Sequence, residues 1–229
     1  MLNRNALPAD EAEVTTKTIR LPLRIAGPAG DIEAVLTRAH DESAAIPHTV
    51  IVCHPHPLHG GTMNNKVVHY LAKSFNDLGA TAVRFNYRGV GASAGGFGEG
   101  TGETQDALAV LDWARDAYPN NAIWLAGFSF GAYVALKASH QRPTTGLICV
   151  APAVRLYDFK SLARVSGPWL VVQGDRDDVV SYDEVTSWAQ AISPPLAYVP
   201  MTGAGHFFHG RLNDLQQVVT AFIAPHLAP

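Results

Sequence analysis

The stretch around Ser129 most restricts how this chain can fold. An apolar run at residues 122–126 stops at Gly127, and an alanine-rich segment with helical character begins directly after Ser129. This pattern predicts a buried strand, a sharp turn and a helix, with Ser129 at the apex of the turn. Glycines at positions 127 and 131 suit such a turn, because side chains there would collide with neighbouring backbone. We therefore expect the fold to be built around this strand–turn–helix unit.

A serine raised above a strand end in this way can act as a nucleophile, and the start of the following helix favours an oxyanion beside it. The Gly-x-Ser-x-Gly pattern occurs a second time, around Ser93. There the preceding apolar run has already ended, and a glycine-rich segment follows that no helix start tolerates well. We interpret Ser129 as the candidate nucleophile and Ser93 as a loop serine that hydrogen bonds locally.

Strands and helices alternate from residue 49 to the end of the chain, after a hairpin of two strands at 15–23 and 32–37. The further predicted strands are 49–53, 81–85, 122–126, 145–150, 169–173 and 197–199; the predicted helices are 64–78, 104–118, 130–141, 182–192 and 211–223. Such alternation is typical of an α/β fold with a mostly parallel, doubly wound sheet flanked by helices. Only about 17 residues lie between Val150, at the end of one strand, and Pro168, just before the next, too few for a cap domain.

Length and composition exclude several classes of protein. The 229 residues carry a net charge of -3 without a cluster of lysine and arginine, which argues against nucleic-acid binding and against an anionic membrane surface. No apolar stretch is long enough to span a bilayer, and no signal peptide is visible, so we expect a cytoplasmic protein. We expect a flexible segment at residues 1–14 and a single domain at 15–229. The sequence gives no indication of the oligomeric state.

The base that would activate Ser129 is predicted in the glycine-flanked loop after the last strand. His206 follows Gly205 there, and His209 is the alternative. The acid is predicted among the three aspartates that follow the strand at 169–173, and Asp177 is favoured over Asp178. Asp175 is expected to cap the turn or to pair with Arg176.

An oxyanion hole needs two N–H donors. One is expected from Phe130, directly after Ser129. The other is expected from the loop after the strand at 49–53, where proline has no N–H to offer, so His56 is favoured and Leu58 is the alternative.

Five segments together resemble the α/β-hydrolase superfamily, and in particular small bacterial serine hydrolases that lack a cap and act like carboxylesterases. They are HPHPLHGGTMNNK (54–66), RFNYRGVGAS (84–93), GFSFG (127–131), GDRD (174–177) and GHFF (205–208). The resemblance extends from about residue 15 over nearly the whole chain. It implies that Ser129, Asp177 and His206 form a catalytic triad and that Phe130 and His56 form the oxyanion hole. The chain departs from the usual pattern at Pro55, where His-Gly is the familiar pair.

The expected activity is hydrolysis of small, water-soluble carboxylic esters, or of thioesters, through an acyl-enzyme on Ser129. We expect a small-molecule ester as the partner and neither a cofactor nor a metal, because no carboxylate or cysteine at ligand spacing accompanies His54, His56 and His59. Two alternatives stay open. One is a peptidase or amidase with the same triad, and the other is a binding protein of this fold without turnover.

Overall fold

The computed structural model describes residues 18–162, 165–193 and 196–227, together with the backbone of residues 13–14. The strands are β1 (Glu13–Val14), β2 (Thr18–Gly27), β3 (Gly30–Ala39), β4 (His48–Cys53), β5 (Thr81–Phe85), β6 (Ala122–Phe128), β7 (Gly146–Val150), β8 (Trp169–Gly174) and β9 (Ala197–Met201). The α-helices are α1 (Lys66–Asn76), α2 (Thr101–Ala117), α3 (Phe130–Ser139), α4 (Tyr182–Gln190) and α5 (Leu212–Ile223).

All these strands form one sheet in the order β1-β2-β3-β5-β4-β6-β7-β8-β9. The three pairings from β1 to β5 are antiparallel, and all pairings from β5 through β4 to β9 are parallel. The predicted α/β class with a mostly parallel sheet is therefore confirmed. The carboxyl ends of the parallel strands meet at one edge, which is where sites collect in such sheets.

The sheet separates two apolar cores, because successive strand residues point to opposite faces. Along β4, Ile51 and Cys53 join the core under α2, α3 and α4, whereas Val50 and Val52 join the core under α1 and α5. Both faces of the sheet are thus covered by helices, as the continuous apolar runs predict.

Most predicted strands and helices begin or end one to four residues away from the observed bounds. Helix α2 begins at Thr101 instead of residue 104, because the buried carboxylate of Glu103 accepts the N–H groups of Gly98 and Gly100, each at 2.7 Å, and so secures an earlier first turn. The hairpin strands β2 and β3 run on to a Gly27–Gly30 pair, beyond the predicted strand limits at residues 23 and 32. The predicted strand at 15–23 falls partly outside the described residues.

The connection from β7 to β8 contains neither a helix nor a strand within its described residues, in agreement with the absence of a cap. No described helix is long and apolar enough to cross a bilayer. Cys53 and Cys149 are free and buried, and burial raises the pKa of each thiol to about 12. The division of the chain into a segment 1–14 and one domain stays a prediction, since residues 1–12 lie outside the described part.

Candidate active site

Ser129 lies at the sharp turn between β6 and α3. Its φ of 56° and ψ of -117° place it in a region that a non-glycine residue rarely occupies. Its N–H donates to the carbonyl of Val150 on the adjacent strand at 2.8 Å, which helps to hold this conformation. Strain of this kind persists only where the surroundings enforce it, and it is common at functional sites.

The two glycines beside Ser129 are required by close backbone contacts. A Cβ atom at Gly127 would clash with the carbonyl of Gly131, and a Cβ at Gly131 would clash with the carbonyl of Cys53 at the end of β4. The start of α3 therefore packs directly against the ends of two central strands. This packing explains why the residues two positions before and after Ser129 are glycines.

His206 and Asp177 form a buried pair. Nδ1 of His206 lies 2.8 Å from Oδ2 of Asp177, and the exposed fractions of their side chains are 3% and 0%. Because the carboxylate can only accept while it is ionised, the hydrogen on this histidine is on Nδ1 and Nε2 is left as the basic nitrogen. The ring of His206 lies 4.9 Å from that of Phe128, the residue before Ser129. The predicted base and acid are thus brought together beside the end of β6.

Asp177 is held by further hydrogen bonds. Its Oδ1 accepts the N–H groups of Val179 and Val180 at 2.9 and 2.7 Å, and its Oδ2 also accepts from Nε2 of Gln173 at 3.0 Å. Burial by itself raises the pKa of Asp177, but the hydrogen bonds from His206, Val180 and Val179 outweigh it and hold this pKa below its ordinary value. The carboxylate therefore stays ionised opposite His206.

Gln173 is a site residue that the sequence analysis did not identify. Its side chain is fully buried at the carboxyl end of β8. The available signal was a polar residue at the end of an otherwise apolar strand.

The alternatives for base and acid lie elsewhere. Oδ1 of Asp175 accepts the N–H of Gly203 at 2.6 Å, so this carboxylate secures the loop that carries His206. Asp178 is exposed to solvent. His209 is exposed as well, and its ring stacks against that of Phe207.

The candidate oxyanion donors lie next to one another. Phe130 is the first residue of α3, so its N–H has no acceptor within the helix. The ring of His56 lies 5.0 Å from the ring of Phe130. The N–H of Leu58 already donates to Nδ1 of His56 at 3.2 Å, whereas no described residue accepts the N–H of His56. Between the two predicted alternatives, the geometry therefore favours His56.

His54 is a structural residue. It is fully buried, Nδ1 lies 2.7 Å from the carbonyl of Pro55, and Nε2 accepts the N–H of Tyr87 at 3.2 Å. Burial lowers the pKa of His54 to about 3, so the ring is neutral. Within the described ranges, no group of three or more histidine, cysteine, aspartate or glutamate side chains is arranged to hold a metal ion.

Ser93 ties a loop to the N-terminal hairpin. Its Oγ accepts the N–H of Glu33 at 2.9 Å and donates to the carbonyl of Asn86 at 2.8 Å. Both hydrogen-bonding functions of the hydroxyl are used by backbone.

Comparisons with known proteins agree with this architecture. The family model described as serine aminopeptidase, S33, matches residues 48–163. An uncharacterized protein of Rickettsia prowazekii is 37% identical over 207 residues, which cover 86% of each chain. A serine hydrolase homologue from Coxiella burnetii is 46% identical with a TM-score of 0.84, covering 91% of this chain and 98% of that one. A Xanthomonas campestris serine hydrolase without a lid is 39% identical with a TM-score of 0.87, covering 94% and 98%. The chain therefore belongs to the α/β serine hydrolases, in the family whose model is described as serine aminopeptidase, S33.

Proposed function

We propose that this chain hydrolyses carboxylic esters through Ser129, His206 and Asp177. The observation that carries the proposal is the buried 2.8 Å hydrogen bond between His206 and Asp177, which leaves Nε2 as a base beside the strained turn that presents Ser129. A serine hydroxyl becomes an effective nucleophile only when a base accepts its proton and a third group orients that base.

In the proposed reaction, Nε2 of His206 takes the proton of Ser129 as Oγ attacks the ester carbonyl. Asp177 stabilises the imidazolium that forms, and the N–H groups of Phe130 and His56 stabilise the oxyanion. His206 then returns the proton to the departing alcohol, which leaves an acyl-enzyme. Water activated by the same nitrogen releases the acid and restores the serine.

A peptidase is the second candidate, and the description of the family model favours it. Both reactions use the same triad, and they differ in whether His206 can protonate a leaving amine. An ester is the more reactive substrate, and the absence of a cap in the described part of the β7–β8 connection fits small, accessible esters. Thioesters fit the same scheme.

The first test is the intact mass after exposure to a fluorophosphonate. We expect one adduct on the wild type, with loss of fluoride, none on Ser129→Ala, and an unchanged adduct on Ser93→Ala, because Ser93 only binds backbone. Labelling that persists in Ser129→Ala but disappears in Ser93→Ala would reverse the assignment. No labelling of any of the three proteins would instead favour a binding protein without turnover.

A matched panel of an ester, a thioester and an anilide with one acyl group then separates the reaction classes. We expect the ester to have the highest kcat/KM and the anilide to be hydrolysed far more slowly. An anilide hydrolysed as fast as the ester would favour the peptidase.

A further inference from the structure

Arg84 is a buried cation that no described carboxylate neutralises. The residue lies near the end of β5 and is only 5% exposed. None of the ion pairs between described residues includes it. Arginine is almost never buried to this extent unless it is paired, because an uncompensated buried charge is costly. Arg84 therefore has the character of an anion-binding group.

The unused edge of this guanidinium matches an oxyanion in shape. Nη1 donates to the carbonyl of Met63 at 2.9 Å, and the Arg84 side chain makes no other hydrogen bond to the described residues. Nε is buried and has no partner among them. Nε and Nη2 share one edge of the guanidinium plane, and such an edge can bind two oxygens of a carboxylate or phosphate side by side. The fold thus uses one nitrogen and leaves the bidentate edge unused.

Arg20 on β2 lies on the same side of the sheet as Arg84. Leu21 and Val83, the residues next to the two arginines, pack in the core under α2, α3 and α4. Because side chains alternate along a strand, both arginines are directed to the side that α1 covers. Burial lowers the pKa of Arg84 to about 10, and the charge of Arg20 lowers it further. Arg84 is still charged at neutral pH, with a second cation close by.

Helix α1 brings a titratable side chain to the same place. The pKa of the exposed His69 is lowered first by partial burial and then by the charges of Arg84, Lys73 and Arg20. Lys73 is already paired with Asp77 at 2.5 Å. All the charges that act on His69 are therefore positive, and such a field attracts an anion.

The acidic residue nearest along β3 is engaged elsewhere. Glu33 lies two positions from Val35, which pairs with Arg84 in the sheet. Oε2 of Glu33 accepts from Nδ2 of Asn86 at 2.7 Å and from the N–H of Ala92 at 2.8 Å. This carboxylate holds the loop after β5 and forms no ion pair with Arg84 within the described ranges.

We propose that Arg84, Arg20 and His69 bind a phosphate group, either as inorganic phosphate or as the phosphate monoester of a small molecule. Several cations around one bidentate edge suit a doubly charged oxyanion better than a single carboxylate. Arg84 is covered in the structure, so binding requires a new rotamer of an exposed neighbour such as His69. The site does not involve Ser129, and the inference is independent of the proposed ester hydrolysis.

The test is isothermal titration calorimetry with inorganic phosphate and with glycerol phosphate, at constant ionic strength and with chloride as the reference anion. We expect one ligand to bind per chain. Arg84→Lys keeps the charge but lacks the bidentate edge, so its Kd should be about tenfold higher. Arg20→Gln should raise Kd about threefold. Tighter binding of glycerol phosphate would assign the site to a monoester, and tighter binding of inorganic phosphate would assign it to the free anion.

Arg24→Gln is the matched control. Arg24 is an exposed arginine on the same strand as Arg20, and its Nη1 donates to the carbonyl of Ala92 at 2.7 Å. The variant loses the same charge as Arg20→Gln, but its Kd should equal that of the wild type. Near-UV circular dichroism checks that each variant is folded.

A second readout covers the case in which Arg84→Lys does not fold. The imidazole resonances of His69, assigned with His69→Gln, should shift when phosphate is added to the wild type and should not shift with chloride. Absence of binding to the wild type would overturn the proposal. Equal losses in Arg20→Gln and Arg24→Gln would overturn it as well, since they would indicate diffuse attraction to a basic surface.

Carboxylates that precede β2 in the chain are the alternative partners of Arg84. The full-length variant Asp10→Asn/Glu11→Gln/Glu13→Gln tests them. Phosphate binding that is absent in the wild type and appears in this variant would assign Arg84 to one of these carboxylates and overturn the phosphate site. Equal binding to both proteins would support it.

Discussion

Asp177 accepts four hydrogen bonds from described residues, and the one from Gln173 shares Oδ2 with the bond from His206. The Gln173 amide is also within 3.3 Å of the carbonyls of Gly174 and Val180, which fixes the direction of its N–H groups. We therefore predict that Gln173 acts as a positioning residue. It keeps Oδ2 directed at the histidine and stabilises the ionised carboxylate.

Gln173→Leu should lower kcat about tenfold with little change in KM, since a hydrogen bond to a charged group contributes about 1.5–3 kcal/mol. Thr186→Val, which removes a hydrogen bond to Tyr198 away from the site, is the control for lost stability. A rise in KM at unchanged kcat, or an equal fall in kcat in Thr186→Val, would contradict the positioning role.

Helix α3 depends on its contact with the end of β4. Gly131→Ala would drive a methyl group into the carbonyls of Cys53 and His54, so the helix start must shift. We expect a loss of about 1–3 kcal/mol in the free energy of unfolding and a fall in fluorophosphonate labelling, because the N–H of Phe130 moves with the helix. Urea denaturation and the labelling rate measure the two effects.

Gly96→Ala is the matched control for this substitution. No atom lies within 4 Å of a Cβ atom built at Gly96, so its stability and labelling should stay close to those of the wild type. Equal losses in the two variants would mean that general loop stiffening, and not the α3–β4 contact, is responsible.

The elements of the parallel sheet were predictable because fully buried strands leave continuous apolar runs, as at Thr81–Phe85, where prediction and structure coincide. The exact ends of the strands and helices were harder to predict. The start of α2 depends on where the Glu103 carboxylate finds N–H groups, and the hairpin end depends on the Gly27–Gly30 pairing. Both are settled by hydrogen bonds between residues whose types alone do not reveal their partners.

At the scale of the whole molecule, the parallel sheet brings distant parts of the chain to one edge. His206 and Asp177 are 29 positions apart and form a hydrogen bond because they follow the neighbouring strands β9 and β8. Strand-end loops were visible in the sequence, so these two residues could be proposed from it. Leu58 stayed open as the alternative to His56, because the choice depends on which N–H group is already bonded. The role of Gln173 was missed, because it depends on the direction of a buried amide.

The neutral His54 makes the stability of the whole fold depend on pH. An imidazole in the unfolded chain takes up a proton near pH 6.5, whereas the pKa of the buried His54 is about 3. Between these two values the unfolded state binds the extra proton. The free energy of unfolding therefore falls as the pH decreases, by up to about 1.4 kcal/mol per pH unit from this one group.

His54→Gln isolates this contribution. Glutamine does not titrate, so between pH 7.5 and pH 5 the free energy of unfolding of the variant should fall by about 2 kcal/mol less than that of the wild type. At pH 7.5 the variant is the less stable protein, because it lacks the ring that packs 4.1 Å from Tyr87. Burial also lowers the pKa of His48, His56 and His69, but these groups titrate in both proteins and cancel in the difference. Urea denaturation at pH 7.5, 6 and 5 gives the two slopes. Parallel slopes of the free energy of unfolding against pH would mean that protonation of His54 does not contribute to the pH dependence. A shallower slope in the variant would assign this contribution to His54, which joins β4 to the loop after β5.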